Sequence, residues 1–163
     1  MLGAAALPAR AAASPPSIVA IDFALRDDMT PGPGGKAPGA ADVARRTRMI
    51  RDFFAEQLAG SENFTQLALE RDSDSYRELM NASGRLFECK RCIVKYGEQL
   101  GSDYVLHGWV QRVSNLIINL NVEILEVASG KVYDRATVDT RGNTDKTWMD
   151  GASYLLRHLR HEL

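Results

Sequence analysis

Hydrophobic and polar residues alternate with a period of two along three runs in the second half of the chain, which predicts three β-strands. The runs are DYVLHGWVQRV, LIINLNVEILEVA and KVYDRATVDTR, and the short turn sequences SN and SG join them. This arrangement is typical of an antiparallel meander. An earlier run, SIVAIDFAL, predicts one buried strand over residues 17–25. Its odd-numbered apolar residues would share one face: Val19, Ile21, Phe23 and Leu25.

A period of three to four residues predicts helices between the strands. The first helix runs from Asp42 to Gly60, where glycine is placed to end it, and FTQLALE predicts a short second strand. Two short helices follow in SDSYRELMNASG and RCIVKYGEQLG, and the last helix has Asn143 or Thr144 as its cap. This order predicts an α/β (α+β) fold. We expect a two-layer sandwich with a mixed sheet of about five strands, an antiparallel C-terminal meander and helices packed on one face.

The length of 163 residues fits one domain, which we expect to span residues 17–163 with a Gly/Pro-rich loop at 26–41. Residues 1–16, MLGAAALPARAAASPP, end in small residues that suit signal-peptide cleavage. The basic start and most of the apolar core of a complete signal are missing from them. We therefore expect a signal-peptide remnant or a flexible arm, and a periplasmic protein. No later apolar run is long enough to span a membrane.

The net charge and the absence of known catalytic motifs argue against several classes of function. Twenty basic and 21 acidic side chains give a net charge of -1, which argues against a nucleic-acid partner. The sequence contains no nucleophile-elbow, metalloprotease or phosphate-binding motif. We therefore predict no catalytic residue, no metal ligand and no cofactor.

Successive side chains of a strand point to opposite faces, so the alternation divides the side chains of the predicted strands into an apolar set on one face and a polar set on the other. A solvated sheet face is one explanation of the polar set. A large aromatic among hydrogen-bonding groups, and paired asparagines that are poor strand formers, instead favour a recognition surface. A lone histidine beside carboxylates is more typical of a cross-strand partner than of a general base or a metal ligand. The polar set comprises Asp22, His107, Trp109, Gln111, Asn119, Asn121, Glu123, Tyr133, Arg135, Thr137, Asp139 and Arg141.

Cys89 and Cys92, the two cysteines of the chain, stand at CxxC spacing before a predicted helix. Ile93 follows the second cysteine, so the CxxCH pattern of haem attachment is absent. A zinc site would need two more ligands from elsewhere in the fold. A redox-active pair at a helix start remains an alternative, because the helix dipole and nearby cations lower a thiol pKa. We favour a structural disulfide in an oxidising compartment.

Several phrases of the chain resemble known envelope domains. IVAIDF, LAGSENFTQL, LGSDYVLHGWVQ and VEILEVASGKVY are similar to the amino-terminal domain of TolB and to CsgG-like envelope domains. GWVQRVSNLIINLNVEI and DTRGNTDKTWMDGASYLLRH resemble a bacterial family of exported proteins known as a domain of unknown function, whose members carry the cysteine pair and the RGNTD phrase. The resemblance implies a two-layer α/β sandwich that acts as a binding or assembly module, with no known chemistry.

Together these features predict a non-enzymatic periplasmic binding or assembly module of the bacterial envelope. The polar set would be presented to a protein, a peptide or a glycan, and we expect the partner to be another envelope protein. The alternative is a thiol-disulfide redox protein that uses Cys89 and Cys92.

Overall fold

The computed structural model describes residues 14–28, 39–82 and 88–159, and this part of the chain contains six strands and four helices. The predicted signal-like arm up to residue 13, and residues 29–38 of the predicted loop, lie outside the described residues. The strands are β1 Ser17–Ala20, β2 Ala24–Asp27, β3 Thr65–Leu67, β4 Tyr104–Arg112, β5 Ile117–Glu126 and β6 Val132–Arg141. The helices are α1 Ala40–Ala59, α2 Asp74–Ala82, α3 Lys90–Leu100 and α4 Asp145–His158.

The strands form one mixed sheet in the order β3-β1-β4-β5-β6. β1 pairs in parallel with β3 and β4, and β2 also pairs in parallel with β4. β5 pairs antiparallel with both β4 and β6. The predicted α/β fold, with a mixed sheet and an antiparallel C-terminal meander, is confirmed.

The first predicted strand is divided into two in the structure. β1 runs along the first half of β4, starting with Ile18 opposite Tyr104, and β2 runs along the second half, starting with Ala24 opposite Trp109. Residues 21–23 between them belong to neither strand. β2 then continues to Asp27, so the loop predicted from residue 26 begins later than expected.

This division changes the faces of the first strand. Val19 and Ile21 pack in one apolar cluster, whereas Phe23 packs in the cluster on the other side of the sheet, and Leu25 is exposed. The prediction that these four side chains share one face is wrong. The physical reason lies in Gly108 of β4, where an added Cβ would come within 2.3 Å of Phe23 Cε2. Because Gly108 has no side chain, the phenyl ring of Phe23 can pack against β4 on the side of the sheet that α1 covers.

Helices α1 and α4 cover one face of the sheet, as predicted. Apolar residues of both helices and of the central strands form a large buried cluster here, which includes Phe54, Leu120, Trp148 and Leu155. The helices carry this apolar stripe because their apolar residues recur at helical spacing. We call this side of the sheet the apolar face.

The RGNTD phrase joins the two helices of the apolar face. Asp145 at the start of α4 accepts a hydrogen bond of 2.6 Å from Arg45 and one of 2.7 Å from Arg46, both on α1. These bonds hold the pKa of Asp145 well below its usual range. Asn143 Oδ1 accepts hydrogen bonds from Arg46 and from the indole of Trp148. The phrase therefore has a structural role between α1 and α4.

The first residues of α4 are fixed by a capping box. Thr144 is the N-cap, and its side chain accepts a hydrogen bond from the backbone N–H of Thr147. The Thr147 hydroxyl in turn accepts from the backbone N–H of Thr144. One of the two caps predicted from the sequence, Thr144, is therefore used.

The opposite face of the sheet is only half covered. The short helices α2 and α3 pack on one end of it in a second apolar cluster that includes Tyr76, Ile93, Tyr96 and Val105. The β4 residues that follow Val105 on this face are polar or aromatic, namely His107, Trp109 and Gln111. The rest of this face forms the candidate site.

Candidate functional site

Three cross-strand rows run across β4, β5 and β6 on the half-covered side of the sheet. The pairing registers place His107, Glu123 and Arg135 in the first row, Trp109, Asn121 and Thr137 in the second, and Gln111, Asn119 and Asp139 in the third. We call these nine residues the polar face. The structure thus brings together nine of the twelve residues of the polar set predicted from the sequence.

The second and third rows are joined by side-chain hydrogen bonds. Asn119 Nδ2 donates to Asp139 Oδ1 at 2.8 Å, and Asn121 Nδ2 donates to Asn119 Oδ1 at 2.5 Å. The Thr137 hydroxyl donates to Asn121 Oδ1 at 2.8 Å. These bonds link the two rows and fix the two amides in one orientation each, so the polar face has an ordered pattern of donors and acceptors.

The first row contains a buried histidine and a buried carboxylate. Glu123 is 3% exposed, and its Oε2 lies 2.9 Å from Lys90 Nζ at the start of α3 and 3.3 Å from His107 Nε2. Arg135 lies farther away, at 3.8 Å from Oε1. His107 Nδ1 makes no hydrogen bond with the described residues.

The ionisation of Glu123 follows from these contacts. Burial alone would raise the pKa of this carboxyl, because burial disfavours the charged form. The interactions with His107 and Lys90 outweigh burial and lower the pKa to about 2. Glu123 is therefore an anion at neutral pH, held between the sheet and the start of α3.

Trp109 stands in the middle of the polar face. Its indole is half-buried and stacks on the His107 ring with the ring centroids 6.1 Å apart. Beside it is a groove of about 280 Å³, lined by residues of the first two rows together with Val122 and Ala136. An aromatic ring next to ordered amides and an arginine can contact the apolar part of a ligand while its neighbours bind the polar part.

Asp22 is one of three predicted residues that the structure does not bring to the polar face. Its carboxylate accepts hydrogen bonds from Arg71 at 2.8 Å and from the Tyr76 hydroxyl at 2.7 Å. Burial would raise the pKa of Asp22, but these two hydrogen bonds lower it. Neither partner belongs to the meander, so Asp22 has a structural role between the end of β1 and α2.

Arg141 is the second such residue, since it lies opposite Ile117, beyond the third row. Tyr133 also differs from the sequence expectation. An irregularity in the pairing of β5 and β6 occurs at this position, and the Tyr133 ring contacts Tyr104 at a centroid distance of 4.8 Å. Tyr104 packs against the apolar face, so this contact shows that the bulge in β6 turns Tyr133 away from the polar face.

Cys89 and Cys92 are joined by a disulfide, with their Cα atoms 5.3 Å apart. Cys89 is the N-cap of α3, and its carbonyl accepts a hydrogen bond from the Cys92 N–H at 2.9 Å. Lys90 lies inside this small loop and reaches Glu123 of the polar face. This role of Lys90 was not predicted from the sequence, where the only signal for it is the position of Lys90 directly after the N-cap cysteine.

No group of three or more histidine, cysteine or acidic side chains is placed to hold a metal ion within the described part of the chain. None of the four described helices combines the length and the apolar character needed to cross a bilayer.

Solved structures share this fold at low sequence identity. The PelC dodecamer from Paraburkholderia phytofirmans is 15% identical, with 90% of this chain and 89% of that chain covered and a TM-score of 0.51. Lipoprotein GNA1162 from Neisseria meningitidis is 12% identical, with 80% and 84% covered and a TM-score of 0.54. LpoB from E. coli is 12% identical, with 80% and 58% covered and a TM-score of 0.54. At these identities the likeness shows a shared fold.

The likeness to TolB and CsgG-like domains stays a prediction. No curated protein matches the sequence. A family model named DUF3280, with the description "Protein of unknown function (DUF2380)", matches residues 16–159. This match covers most of the described fold, including the polar face and the disulfide, and agrees with the resemblance to a domain of unknown function. The chain belongs to this family.

Proposed function

We propose that the protein is a non-enzymatic binding or assembly module in the periplasm, and that its polar face binds a protein, peptide or glycan partner of the bacterial envelope. The observation that carries this proposal is the setting of Trp109, whose half-buried indole lines a groove within a hydrogen-bonded polar surface. Tryptophan often dominates the binding energy of an interface, because it offers a large apolar area and a hydrogen-bond donor.

The geometry of the first row favours binding over catalysis. A general base must reach the proton that it removes from a substrate. The His107 side chain is 2% exposed and the Glu123 side chain is 4% exposed, and Glu123 already contacts Lys90. This pair therefore supports the position of Trp109 and the groove rather than reacting with a substrate.

The location in the periplasm has separate support. Disulfides persist in oxidising compartments, and the Cys89–Cys92 bridge fits such a compartment. The signal-like sequence MLGAAALPARAAASPP agrees with export. A protein of the same fold, GNA1162, is described as a lipoprotein. We expect the partner to be a further envelope protein.

Substitution of Trp109 tests the proposal. Trp109→Ala should keep the circular dichroism spectrum and a cooperative thermal transition, because the indole is only half-buried. It should weaken the binding of partners captured from envelope extracts by at least about 30-fold, the effect of losing a hot-spot residue. Met80→Ala is the matched control, since it removes an exposed apolar side chain from α2. Equal capture of the same partners by both variants would rule out the polar face.

A second candidate function is thiol-disulfide exchange. Both cysteines are partly exposed, and Cys92 lines a groove of about 180 Å³ between α2 and α3 together with the cations Arg91 and Lys95. Nearby cations stabilise a thiolate leaving group. This candidate predicts a reduction potential in the range of oxidoreductases and turnover in an insulin-reduction assay. A bridge that resists reduction in the folded protein, with no turnover, would exclude it.

A further inference from the structure

The outer edge of β6 is a long open edge of the sheet. β6 has ten residues and lies last in the strand order, so no described strand pairs with its outer side. The opposite edge is formed by β3, which has three residues. Natural proteins usually keep exposed edge strands short or cover them, because the unpaired backbone groups of an edge bind other strands. A ten-residue edge therefore needs an explanation.

The direction of the backbone groups on this edge follows from the pairing with β5. The Gly142 N–H donates to the Leu116 carbonyl at 2.8 Å. The backbone groups of Gly142 therefore point towards the β5 side, and so do those of the even-numbered residues of β6. Alternate residues of an antiparallel strand direct both backbone groups to the same side. Arg135, Thr137 and Asp139 therefore direct their backbone N–H and C=O groups outward. The Arg135 N–H is already bonded to Asp134 Oδ1 at 2.8 Å.

The side chains along this edge carry a charge pattern that complements itself. Arg135 and Asp139 lie two residues before and two residues after Thr137, and all three are exposed on the same side of the sheet. We propose that a second copy of this chain pairs antiparallel with β6 about a twofold axis at Thr137. In this register Arg135 of each copy lies directly opposite Asp139 of the other copy.

Neighbouring registers lack this complementarity. Moving the second copy by two residues in one direction places Arg135 opposite Arg141, and like charges directly opposite one another are destabilising. Moving it by two residues in the other direction places Arg135 opposite Thr137 and leaves both acidic groups without a cation. The charges therefore select the register that is centred on Thr137.

The other side of the edge offers an apolar contact. Ala136 and Val138 point to the α4 side, and in the proposed register Ala136 of one copy faces Val138 of the other. Tyr154 of α4 is 39% exposed and lines a groove of about 290 Å³ along this edge, together with Val138 and Gly151. A second copy would fill part of this groove. Ion pairs on one side and apolar contacts on the other make the edge fit a copy of itself.

The paired edges would join two sheets into one continuous sheet. Backbone hydrogen bonds would form between the two Thr137 residues and from the Asp139 N–H to the Arg135 carbonyl, whereas the Arg135 N–H keeps its bond to Asp134. This short ladder with exposed ion pairs indicates a weak and salt-sensitive dimer. The two polar faces would lie side by side. The pairing does not depend on the function proposed for them.

Charge exchange tests the dimer. Sedimentation velocity at low ionic strength should show a concentration-dependent dimer for the wild-type chain. Arg135→Asp and Asp139→Arg should each be monomeric, because each places two pairs of like charges at the edge. An equimolar mixture of the two variants should dimerise again, since the changed residues then face opposite charges. Lys95→Glu and Glu78→Lys are matched controls, because they alter an exposed ion pair of α2 and α3 and should leave the wild-type dimer intact.

Clear results would overturn the proposal. A wild-type chain that stays monomeric up to about 1 mM does not pair in this way. The same holds if either charge variant dimerises like the wild type, or if the folded variants stay monomeric in the mixture. Trp109→Ala should keep the dimer, so the failure of this proposal and the failure of the binding proposal are distinguishable.

A cross-link provides a second measurement that does not rely on charge. The two native cysteines are joined to each other, so Thr137→Cys would supply one reactive thiol per chain. Directly opposite residues of a hydrogen-bonded pair have Cα atoms about 5.5 Å apart, within the range of a disulfide. Mild oxidation should therefore join two copies rapidly. Thr65→Cys on the β3 edge is the control for random collision, and equal rates for the two variants would exclude the register.

Discussion

The two faces of the same strands differ in what they bury, and β5 shows the difference within a few residues. Leu120 and Val122 point to the apolar face, where α1 and α4 cover them completely. Asn119 and Asn121 alternate with them and point to the polar face, where Asn119 is partly exposed and Asn121 is buried within the hydrogen-bonded network. One face is therefore built for stability. The other face contains two asparagines, which are poor strand formers, in an ordered hydrogen-bonded network, and this favours a role in binding.

The largest expected effect is on the apolar face. Leu120→Ala should lower the free energy of unfolding by about 2–5 kcal/mol, because it removes a fully buried side chain and leaves a cavity under α4. The neighbouring substitution Asn119→Ala should cost less than about 1 kcal/mol, since its side chain is partly exposed. Chemical denaturation of both variants measures the difference. A similar decrease in the free energy of unfolding for the two variants would contradict the conclusion that the apolar face provides most of the stability.

The next effect concerns Glu123, the one buried carboxylate of the polar face. Glu123→Gln should lower the free energy of unfolding by about 1.5–3 kcal/mol at neutral pH, because contacts to a charged group are lost. The ordinary pKa of the carboxyl is 4.5, and in the folded chain the pKa is about 2. A lowered pKa stabilises the fold above pH 4.5, and this contribution disappears as the pH falls from 4.5 to about 2.

The stability difference between wild type and Glu123→Gln should therefore shrink over that pH range. Denaturation of both proteins between pH 2 and pH 7 measures it, and Glu78→Gln is the control because that carboxylate also bonds a lysine but is exposed. A difference that does not change with pH would mean that Glu123 is not held as an anion.

The sequence predicted those parts of the fold that follow from local periodicity. The three strands of the meander and the helix ending before Gly60 follow from spacing and capping rules, and so does a cap at Asn143 or Thr144, of which the structure uses Thr144. Alternation also predicted that most residues of the polar face share one side of the sheet, whereas their arrangement in rows comes from the pairing registers of the structure. The predicted features require no knowledge of contacts between distant segments.

The differences arise where distant segments meet. The break at residues 21–23 depends on the space above Gly108, which belongs to a strand 85 residues later, so alternation within SIVAIDFAL gave no sign of it. The bulge at Tyr133 likewise depends on the pairing of two strands. Lys90 reaches Glu123 only because α3 packs beside the polar face. Local pattern does not contain this information.

The smallest expected effect concerns the disulfide. The bridge closes a loop of only four residues, so the double variant Cys89→Ser with Cys92→Ser should lower the free energy of unfolding by about 1–2 kcal/mol. Its more informative consequence lies on the polar face. The bridge fixes the first turn of α3 and with it Lys90, which contacts Glu123 at 2.9 Å.

Without the bridge, Lys90 is less restrained and stabilises the Glu123 carboxylate less. Glu123→Gln should therefore lower the free energy of unfolding by a smaller amount in the variant that lacks the bridge. A double-mutant cycle between the cysteine pair and Glu123, measured by denaturation at pH 7, should give an interaction energy of at least about 0.5 kcal/mol. Glu78→Gln in place of Glu123→Gln serves as the control, since Lys95 holds Glu78 outside the disulfide loop. Additive costs for the cysteine pair and Glu123 would show that the disulfide stabilises α3 alone. Coupling would mean that this bridge helps to set the charge on which the first row of the polar face depends.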